Sequence, residues 1–327
     1  MITNRMYNEE IKQRFLNTYE NEGTRNTIQY LFFSAYENEV PLGKDLYDFN
    51  LDDIKLVISS TNPKSTSVAK QKGVFISQYI SWAIENNFKQ TTINPLQDIR
   101  ADWYEQFIDP NLKQYISLLD LQEIESKLVN YQDIAVLRLL FEGVYGQASS
   151  EIRNLKYDDI NKDTGELKLY DDKKGERSIT VSETTLNILL KAYKEPTYQS
   201  NNGNSERQKE SELIQNEYII RPASRGNVTP GRASQAIIMG RIRVISELFD
   251  MEDLTPKSIQ RSGMIYMAYK LLKDSGRSEL GKEDFEAIGD RFNLTKLKTN
   301  SYTYHNRTSM GEYINLENIK KLYPDFN

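Results

Sequence analysis

The stretch from residue 133 to residue 181 constrains the fold most, because it places a core-type helix just ahead of a hairpin signal. Residues 134–141 form an apolar run that is typical of a buried helix. Farther along, residues 167–170 and 177–181 are candidate strands, and Lys173-Lys174-Gly175 between them is typical of a turn. The order predicts a mainly helical domain that carries a small β-sheet.

The residues between this helix and this hairpin carry a family resemblance. After a glycine-containing turn they read Ser150-Glu151-Ile152, followed by Leu155 and then by Asp158-Asp159-Ile160. This order resembles the core of tyrosine recombinases, the phage integrase family, whose usual pattern is T-G-x-R-x-S-E-L followed by L-x-W-x-D-I. The resemblance implies a mainly α fold with a small β-sheet, in which an N-terminal helical core-binding (SAM-like) domain precedes a C-terminal tyrosine-recombinase-like domain.

The N-terminal part of the chain fits this order, because residues 8–100 show helical spacing throughout. Asn50 is suited to cap one helix, and Ser65 is suited to begin a long helix that reaches residue 88, with Val68 on its apolar side. Asn94-Pro95 then breaks the pattern. The arrangement is similar to the core-binding domain of tyrosine recombinases.

The resemblance divides the chain into two domains. Residues 1–112 are interpreted as a core-binding-like DNA-binding domain, and residues 113–327 as a tyrosine-recombinase-like domain without the catalytic arginines. Residues 96–115 are predicted to be the connection between the two domains.

The second half of the chain contains further elements. We predict a mobile polar loop at 196–216, a strand at 218–220, and helices at 234–249, 255–272 and 282–297, followed by a tyrosine-bearing segment at 299–305. Members of the family often pass a C-terminal segment to a neighbouring subunit. Leu316–Leu322 is a candidate for such self-association or, equally, for packing on its own domain.

The catalytic pattern of the family is mostly missing. Tyrosine recombinases hold the reacting phosphate with two arginines, and the first falls here on Ala148, or on Gln147 with a slip of one residue. The second falls on Gln260, while the two family histidines become Lys257 and Asp290. Because loss of a single donor from a charge-stabilising site costs on the order of 10²–10³ in rate, the resemblance implies a scaffold that is not an enzyme.

Two catalytic positions keep the family residue. Lys174 lies at the position of the hairpin lysine, and Tyr302 at that of the nucleophile, with Tyr304 as the alternative. Since the chain has 21 tyrosines, a tyrosine near this position is weak evidence for catalysis. An ordinary tyrosine and a solvated turn lysine explain these residues as well.

Composition limits the other classes of function. The chain has 327 residues, a net charge of −5 and a pI of about 5.3, which taken alone argues against nucleic-acid binding. It has no cysteine and a single histidine, His305, so that we expect no metal and no cofactor. With no apolar run of membrane-spanning length, we expect a cytoplasmic, nucleoid-associated protein of a bacterial host.

In tyrosine recombinases the two domains form a C-shaped clamp around duplex DNA. The resemblance therefore implies a clamp that binds DNA without cutting it, which suggests a DNA-binding regulator. The chain resembles the recombinase-like repressors of SPβ-type Bacillus prophages, which implies sequence-specific binding of duplex DNA at operator repeats and maintenance of lysogeny. The expected DNA contacts are Lys64, Lys70, Lys72, Gln147, Arg153, Lys174, Arg225, Lys257, Gln260 and Arg261. Two more basic clusters, Arg221-Arg225-Arg232 and Arg241-Arg243, are interpreted as solvated faces.

Two other functions stay open. A divergent but active recombinase would use Arg261, Lys174 and Tyr302 or Tyr304. A helical protein-interaction module that does not bind DNA would fit the acidic pI. Binding to duplex DNA that weakens as salt rises would distinguish the two DNA-binding functions from a protein-interaction module. A covalent protein–DNA adduct would distinguish an active recombinase from a repressor.

Overall fold

The computed structural model describes residues 5–89, 91–109, 114–206, 210–224, 231–251, 253–299 and 301–326. The chain forms two compact units, Met1–Leu112 and Lys113–Asn327, called unit 1 and unit 2 below. Each unit has its own hydrophobic core. No helix in the described part of the chain is long and apolar enough to cross a membrane.

Unit 1 is built from helices. They are α1 (Glu9–Leu16), α2 (Glu22–Leu42), α3 (Leu51–Ser60) and α4 (Thr66–Glu85), with 3₁₀ turns at Leu46–Asp48 and Ala101–Phe107. The predicted caps are confirmed, because Asn50 accepts a hydrogen bond from the backbone N–H of Asp53 and Ser65 accepts one from Val68. Phe32 and Tyr79 pack edge to face in the core, with ring centroids 4.8 Å apart.

Two predictions for unit 1 were wrong in detail. Val68 was placed on the buried side of α4, but it is 39% exposed, because the neighbouring Ala69 is the residue of this turn that faces the core. The segment 96–115 was assigned to the connection, yet its 3₁₀ turn belongs to unit 1 and buries Tyr104. Gly73 of α4 makes room for that ring, since an added Cβ would lie 2.3 Å from the Tyr104 hydroxyl oxygen.

A charged cluster lies inside the core of unit 1. The ammonium of Lys12 lies 2.6 Å from a carboxylate oxygen of Glu39 and 3.1 Å from one of Asp45, and all three side chains are buried. The Tyr79 hydroxyl donates to Asp45. Burial raises the pKa of Glu39 to about 7, although Lys12 opposes the change. This cluster therefore links the stability of unit 1 to pH.

Unit 2 combines helices with short antiparallel strand pairs. Its helices are α5 (Leu118–Lys127), α6 (Tyr131–Phe141), α7 (Ser150–Asn154), α8 (Glu183–Lys194), α9 (Gln235–Leu248), α10 (Pro256–Ser275), α11 (Lys282–Arg291), α12 (Arg307–Gly311) and α13 (Leu316–Leu322). Its strands are β1 (Glu166–Asp171), β2 (Gly175–Thr180), β3 (Thr197–Gln199), β4 (Glu210–Glu212), β5 (Lys296–Lys298) and β6 (Thr303–His305). The strands pair as β1 with β2, β3 with β4 and β5 with β6.

Helix α6 is the centre of unit 2, and it packs against α8 and α10. All but the first of its residues are buried, as the apolar run predicted. Gly263 lets α10 approach closely, because an added Cβ there would lie 1.8 Å from the carbonyl oxygen of Phe141. The predicted hairpin is confirmed too, with Leu167 opposite Ile179 and Asp171 opposite Gly175.

Several predictions for the second half of unit 2 were wrong. Part of the supposed loop 196–216 forms the β3–β4 pair, and the supposed strand 218–220 makes only a single bridge, from Tyr218 to Lys156. The helix expected at 282–297 ends at Arg291, because Asn293 takes a left-handed φ of 50° and the chain then enters β5. The tyrosine-bearing segment is therefore part of a β-hairpin.

Helix α13 packs within its own unit. Ile319 of α13 is fully buried in a cluster with Leu272 of α10 and Tyr323. The Tyr323 hydroxyl also accepts a hydrogen bond from the backbone N–H of Leu118. Within one chain this segment therefore packs on its own domain, and its self-association stays a prediction.

Candidate functional site

The turn that contains Gln147 and Ala148, the two positions predicted to replace the family's first arginine, is strained. After α6 the chain passes through Gly146, with a φ of 72°, and then through Ala148 and Ser149, with φ values of 51° and 62°. Two successive non-glycine residues in the left-handed region are uncommon and cost energy. Ala148 offers only a methyl group, so the turn presents no cation at this position.

Asp171 fastens this turn to the β1–β2 hairpin. Its carboxylate accepts hydrogen bonds from the backbone N–H groups of Gln147 at 2.9 Å, Lys173 at 2.7 Å and Lys174 at 3.0 Å. Burial alone would raise the pKa of Asp171, but these bonds outweigh it and hold the pKa below its ordinary value. The turn and the hairpin lysine are thus positioned by one carboxylate.

The retained lysine has a partner within the protein. The ammonium of Lys174 donates to the backbone carbonyl oxygen of Asn293, just after α11. Burial lowers the pKa of Lys174, although Asp171 and Glu151 oppose the change. Its side chain is nevertheless exposed, so this hydrogen bond would compete with a contact to a phosphate.

Two arginines that the sequence did not single out hold this region together. Arg177 binds the buried carboxylate of Glu151 and donates to the backbone carbonyl oxygens of Gly143 and Arg291. Arg291 in turn binds Glu142 at 2.8 Å. Both guanidinium groups are committed to structural partners. In the sequence, the only indication of this role for Arg177 was Glu151, because a carboxylate needs a cation as its partner once it is buried.

Helix α10 brings three predicted residues to one cavity. Lys257, Gln260 and Arg261 line a cavity of about 210 Å³, and His305 of β6 lines it as well. Lys257 is exposed, whereas Gln260, at the position of the second arginine, is only 8% exposed. The guanidinium of Arg261 lies 4.5 Å from the centre of the Tyr313 ring.

Asp290, predicted to replace a family histidine, is paired with Lys296 and His305 within the protein. One carboxylate oxygen lies 2.7 Å from the Lys296 ammonium and 3.0 Å from Nε2 of His305. Burial would raise the pKa of Asp290, but these two partners lower it below the ordinary value. The His305 ring lies against Gly289, where an added Cβ would be 2.3 Å from the ring.

Tyr302, the candidate nucleophile, lies apart from this cavity. It is 58% exposed, and neither it nor Tyr304 is among the residues that line the cavity. Its ring lies 5.5 Å from that of Tyr304, and within the described residues its hydroxyl makes no hydrogen bond. The tyrosine that does line the cavity with Lys257, Gln260 and Arg261 is Tyr313, whereas Tyr302 and Tyr304 do not.

The predicted DNA contacts differ in accessibility. Lys70, Gln147, Lys174 and Lys257 are exposed, Lys64, Lys72, Arg153 and Arg261 are half-buried, Gln260 is buried, and Arg225 lies outside the described residues. Lys70 and Lys72 are two positions apart on α4, so they point to different sides of the helix. The lysines of unit 1 therefore do not form a single cluster.

The arginines grouped by sequence also separate in the structure. Arg153 and Arg232 share the carboxylate of Asp172, at 3.2 and 3.1 Å. The interpretation of the other arginines as solvated was wrong for two of them. Arg221 is fully buried, and Arg241 is buried beside Asp133, where it donates to the Arg221 carbonyl oxygen. Their backbone and carboxylate partners come from distant segments.

No group of three or more histidine, aspartate or glutamate side chains within the described ranges could hold a metal ion.

Comparisons with known proteins agree with the two-domain order. Residues 115–324 match the family model described as MrpR, C-terminal catalytic domain, and residues 6–85 match that described as MrpR, N-terminal core-binding domain. The SPbeta prophage-derived uncharacterized protein YopR of Bacillus subtilis (strain 168) is 37% identical over 98% of this chain and 97% of its own length.

Solved structures show the same fold at low identity. The Tn1549 transposon integrase in complex with circular intermediate DNA matches with a TM-score of 0.52 and 13% identity, covering 97% of this chain and 99% of that one. A lambda integrase dimer bound to a COC' core site matches with a TM-score of 0.51 and 11% identity, covering 94% and 77%. This similarity establishes a tyrosine-recombinase-like fold.

Proposed function

Because the chain belongs to the MrpR family, we propose that it is a sequence-specific DNA-binding protein that acts as a prophage repressor and does not cut DNA. The main support for the proposal is that Ala148 and Gln260 stand where the family pattern has its two phosphate-holding arginines. A phosphoryl-transfer transition state needs fixed cationic donors, and a methyl group and an amide cannot replace two guanidinium groups.

The arginines nearby do not replace the missing ones in this proposal. Arg177 and Arg291 are bound to Glu151 and Glu142, and Arg261 is stacked on Tyr313. Freeing Arg177 would leave the buried Glu151 carboxylate unpaired, which costs several kcal/mol. Tyr302 also does not line the cavity of α10, so the candidate nucleophile lies outside the site that contains Lys257 and Arg261.

The support for DNA binding comes from accessible cations and from the fold. Lys70, Lys174 and Lys257 are exposed and suited to phosphate contacts, which position a protein without reading sequence. Gln147 is exposed, and no hydrogen bond of its side chain is found in the described ranges. An amide of this kind can read adenine through its N6 and N7 atoms.

The support for a repressor comes from the relative and from the missing chemistry. YopR is prophage-derived. A prophage protein that binds DNA without cutting it is suited to block transcription from the operators that it occupies. We include in the same proposal that the protein binds operator repeats and that its copies associate with one another on them. So is a location in the cytoplasm, on the nucleoid of a bacterial host.

One experiment tests both halves of the proposal. Purified protein is incubated with end-labelled fragments of its native genomic surroundings across a salt series, and each sample is run on a native and on a denaturing gel. We expect a specific shift that weakens as salt rises and no covalent adduct. An adduct that Tyr302→Phe or Tyr304→Phe abolishes would show an active recombinase, and the absence of any shift would favour a protein-interaction module.

A further inference from the structure

A second cavity of unit 2 lies apart from the one beside Gln260. Its volume is about 430 Å³, and ligand pockets commonly have about 300–1,000 Å³. Helices α5, α6, α8, α10 and α11 all contribute side chains to it, and among the described residues it shares none with the cavity beside Gln260. We propose that this cavity, called the second cavity below, binds a small molecule with an apolar body and one carboxylate, independently of the DNA-binding function proposed above.

The walls of the second cavity are apolar. They are formed by large side chains of α5, α6 and α10 and of the residue after α11, which are Leu118, Phe141, Tyr266, Met267 and Phe292. Phe141 and Phe292 are buried, whereas Leu118, Tyr266 and Met267 are half-buried and keep surface that a ligand can cover. The rings of Phe141 and Tyr266 lie 5.7 Å apart. Because aromatic and methionine side chains adapt to apolar groups of varied shape, this wall suits an aromatic or branched ligand body.

Two of the cations that line the second cavity are already neutralised by the protein. Arg138 forms an ion pair with Glu125, and Arg291 forms one with Glu142 at 2.8 Å. All four side chains are less than a quarter exposed, so these pairs are well shielded from water. They leave no charge for a ligand to balance.

Lys270 is a third cation of the second cavity, and its charge is available. Its ammonium lies 3.7 Å from the Asp274 carboxylate, and both side chains are largely exposed, so this ion pair is weak. A ligand carboxylate can therefore become the partner of Lys270, and Gln122 and Thr184 of the lining can donate to it as well. A second negative charge on the ligand would be repelled by Glu142, which also lines the cavity. The charges thus favour a monoanion.

The size of the second cavity favours a small molecule over a partner protein. A volume of about 430 Å³ corresponds to about fourteen waters at their share of liquid volume, which suits a ligand of about a dozen non-hydrogen atoms. A stable protein–protein interface covers about 800 Å² on each partner, far more surface than a cavity of this size presents.

Isothermal titration of the full-length protein with 4-phenylbutyrate tests the proposal. This probe carries a phenyl ring, a short chain and one carboxylate. We expect saturable binding at one site per chain with a Kd below about 1 mM. The neutral 4-phenylbutanamide has the same body without the charge, and we expect it to bind about fivefold weaker or less well still, because it cannot pair with an ammonium.

Three variants locate the binding site. Lys270→Met should lower the affinity for 4-phenylbutyrate to that of the amide and leave the affinity for the amide unchanged. Met267→Trp should weaken binding of both probes by about tenfold, because the larger side chain fills the space between the walls. Lys168→Met is the matched control, because Lys168 is an exposed lysine of unit 2 that does not line the second cavity, and it should bind both probes as wild type does. Circular dichroism checks that each variant is folded.

Three results would overturn the proposal. The first is no saturation up to about 10 mM 4-phenylbutyrate, an affinity too weak for a built site. The second is equal affinity for the acid and the amide in wild type, which would show that Lys270 does not select a carboxylate. The third is the same loss of binding in Lys168→Met as in Lys270→Met, which would indicate a general charge effect. None of these titrations contains DNA, so their failure is distinguishable from failure of the proposed DNA-binding function.

Discussion

Arg177 holds the buried carboxylate of Glu151 through two hydrogen bonds, of 2.6 Å from Nε to Oε1 and 2.8 Å from Nη2 to Oε2. The same guanidinium reaches the carbonyl oxygens of Gly143 and Arg291. A single side chain therefore joins the end of α6, the start of α7, strand β2 and the end of α11. All the contacts of this guanidinium that the described residues show are with groups of the fold.

Arg177→Met is expected to destabilise unit 2 by about 3–5 kcal/mol, because it leaves the Glu151 carboxylate buried and unpaired. Urea unfolding followed by circular dichroism measures the loss. The double variant Arg177→Met with Glu151→Gln should recover part of it. The control is Arg243→Met, which breaks an exposed pair and should stay within about 0.5 kcal/mol of wild type. An equal effect of the two arginine variants would contradict the structural role.

Gly146 is expected to tolerate no side chain. With a φ of 72°, an added Cβ would lie 2.6 Å from the Ser150 hydroxyl oxygen and 2.8 Å from the Asp171 carboxylate. Gly146→Lys should cost about 2–4 kcal/mol and impair DNA binding, as clash and strained backbone combine. Gly175→Lys is the control, because Gly175 has a φ of 81° but open space around it, and only the backbone cost of about 1 kcal/mol is expected.

The sequence predicts those parts of this fold that depend on neighbouring residues. The caps Asn50 and Ser65, the apolar helix ending near Phe141 and the hairpin around Gly175 all have local signals, and all are confirmed. The short β5–β6 pair was missed, because three-residue strands carry too little pattern to outweigh a helical reading.

The candidate site was harder to predict, since its contacts join distant segments. Arg221 and Arg241 look like surface cations in the sequence, yet both are buried against backbone carbonyls from other parts of the chain. The cavity beside Gln260 depends on His305, 45 positions later, and no spacing rule connects the two. The assignment of Ala148, Gln260 and Asp290 to catalytic positions of the family rests on the sequence pattern alone and stays a prediction.

Tyr302→Phe is expected to leave DNA binding and repression within about twofold of wild type. The hydroxyl that the variant removes is on a residue 58% exposed and makes no hydrogen bond in the described part of the chain. Gel-shift titration and a reporter under a native promoter measure the two effects. Tyr304→Phe tests the alternative nucleophile on the neighbouring ring, and the same result is expected. Loss of repression with unchanged DNA binding would count strongly against a repressor that does not use this tyrosine.

Unit 1 should lose stability as pH rises from 5 to 8, because of Glu39. Its pKa of about 7 in the folded protein exceeds the ordinary 4.5, so the stabilisation is complete below pH 4.5 and lost as pH rises through 7. The full difference corresponds to roughly 3 kcal/mol. Glu39→Gln should flatten this dependence, whereas the exposed control Glu85→Gln should keep it. Both tryptophans, Trp82 and Trp103, lie in unit 1, so urea unfolding followed by their fluorescence reports on it alone. An unchanged slope in Glu39→Gln would assign the pH dependence to another group.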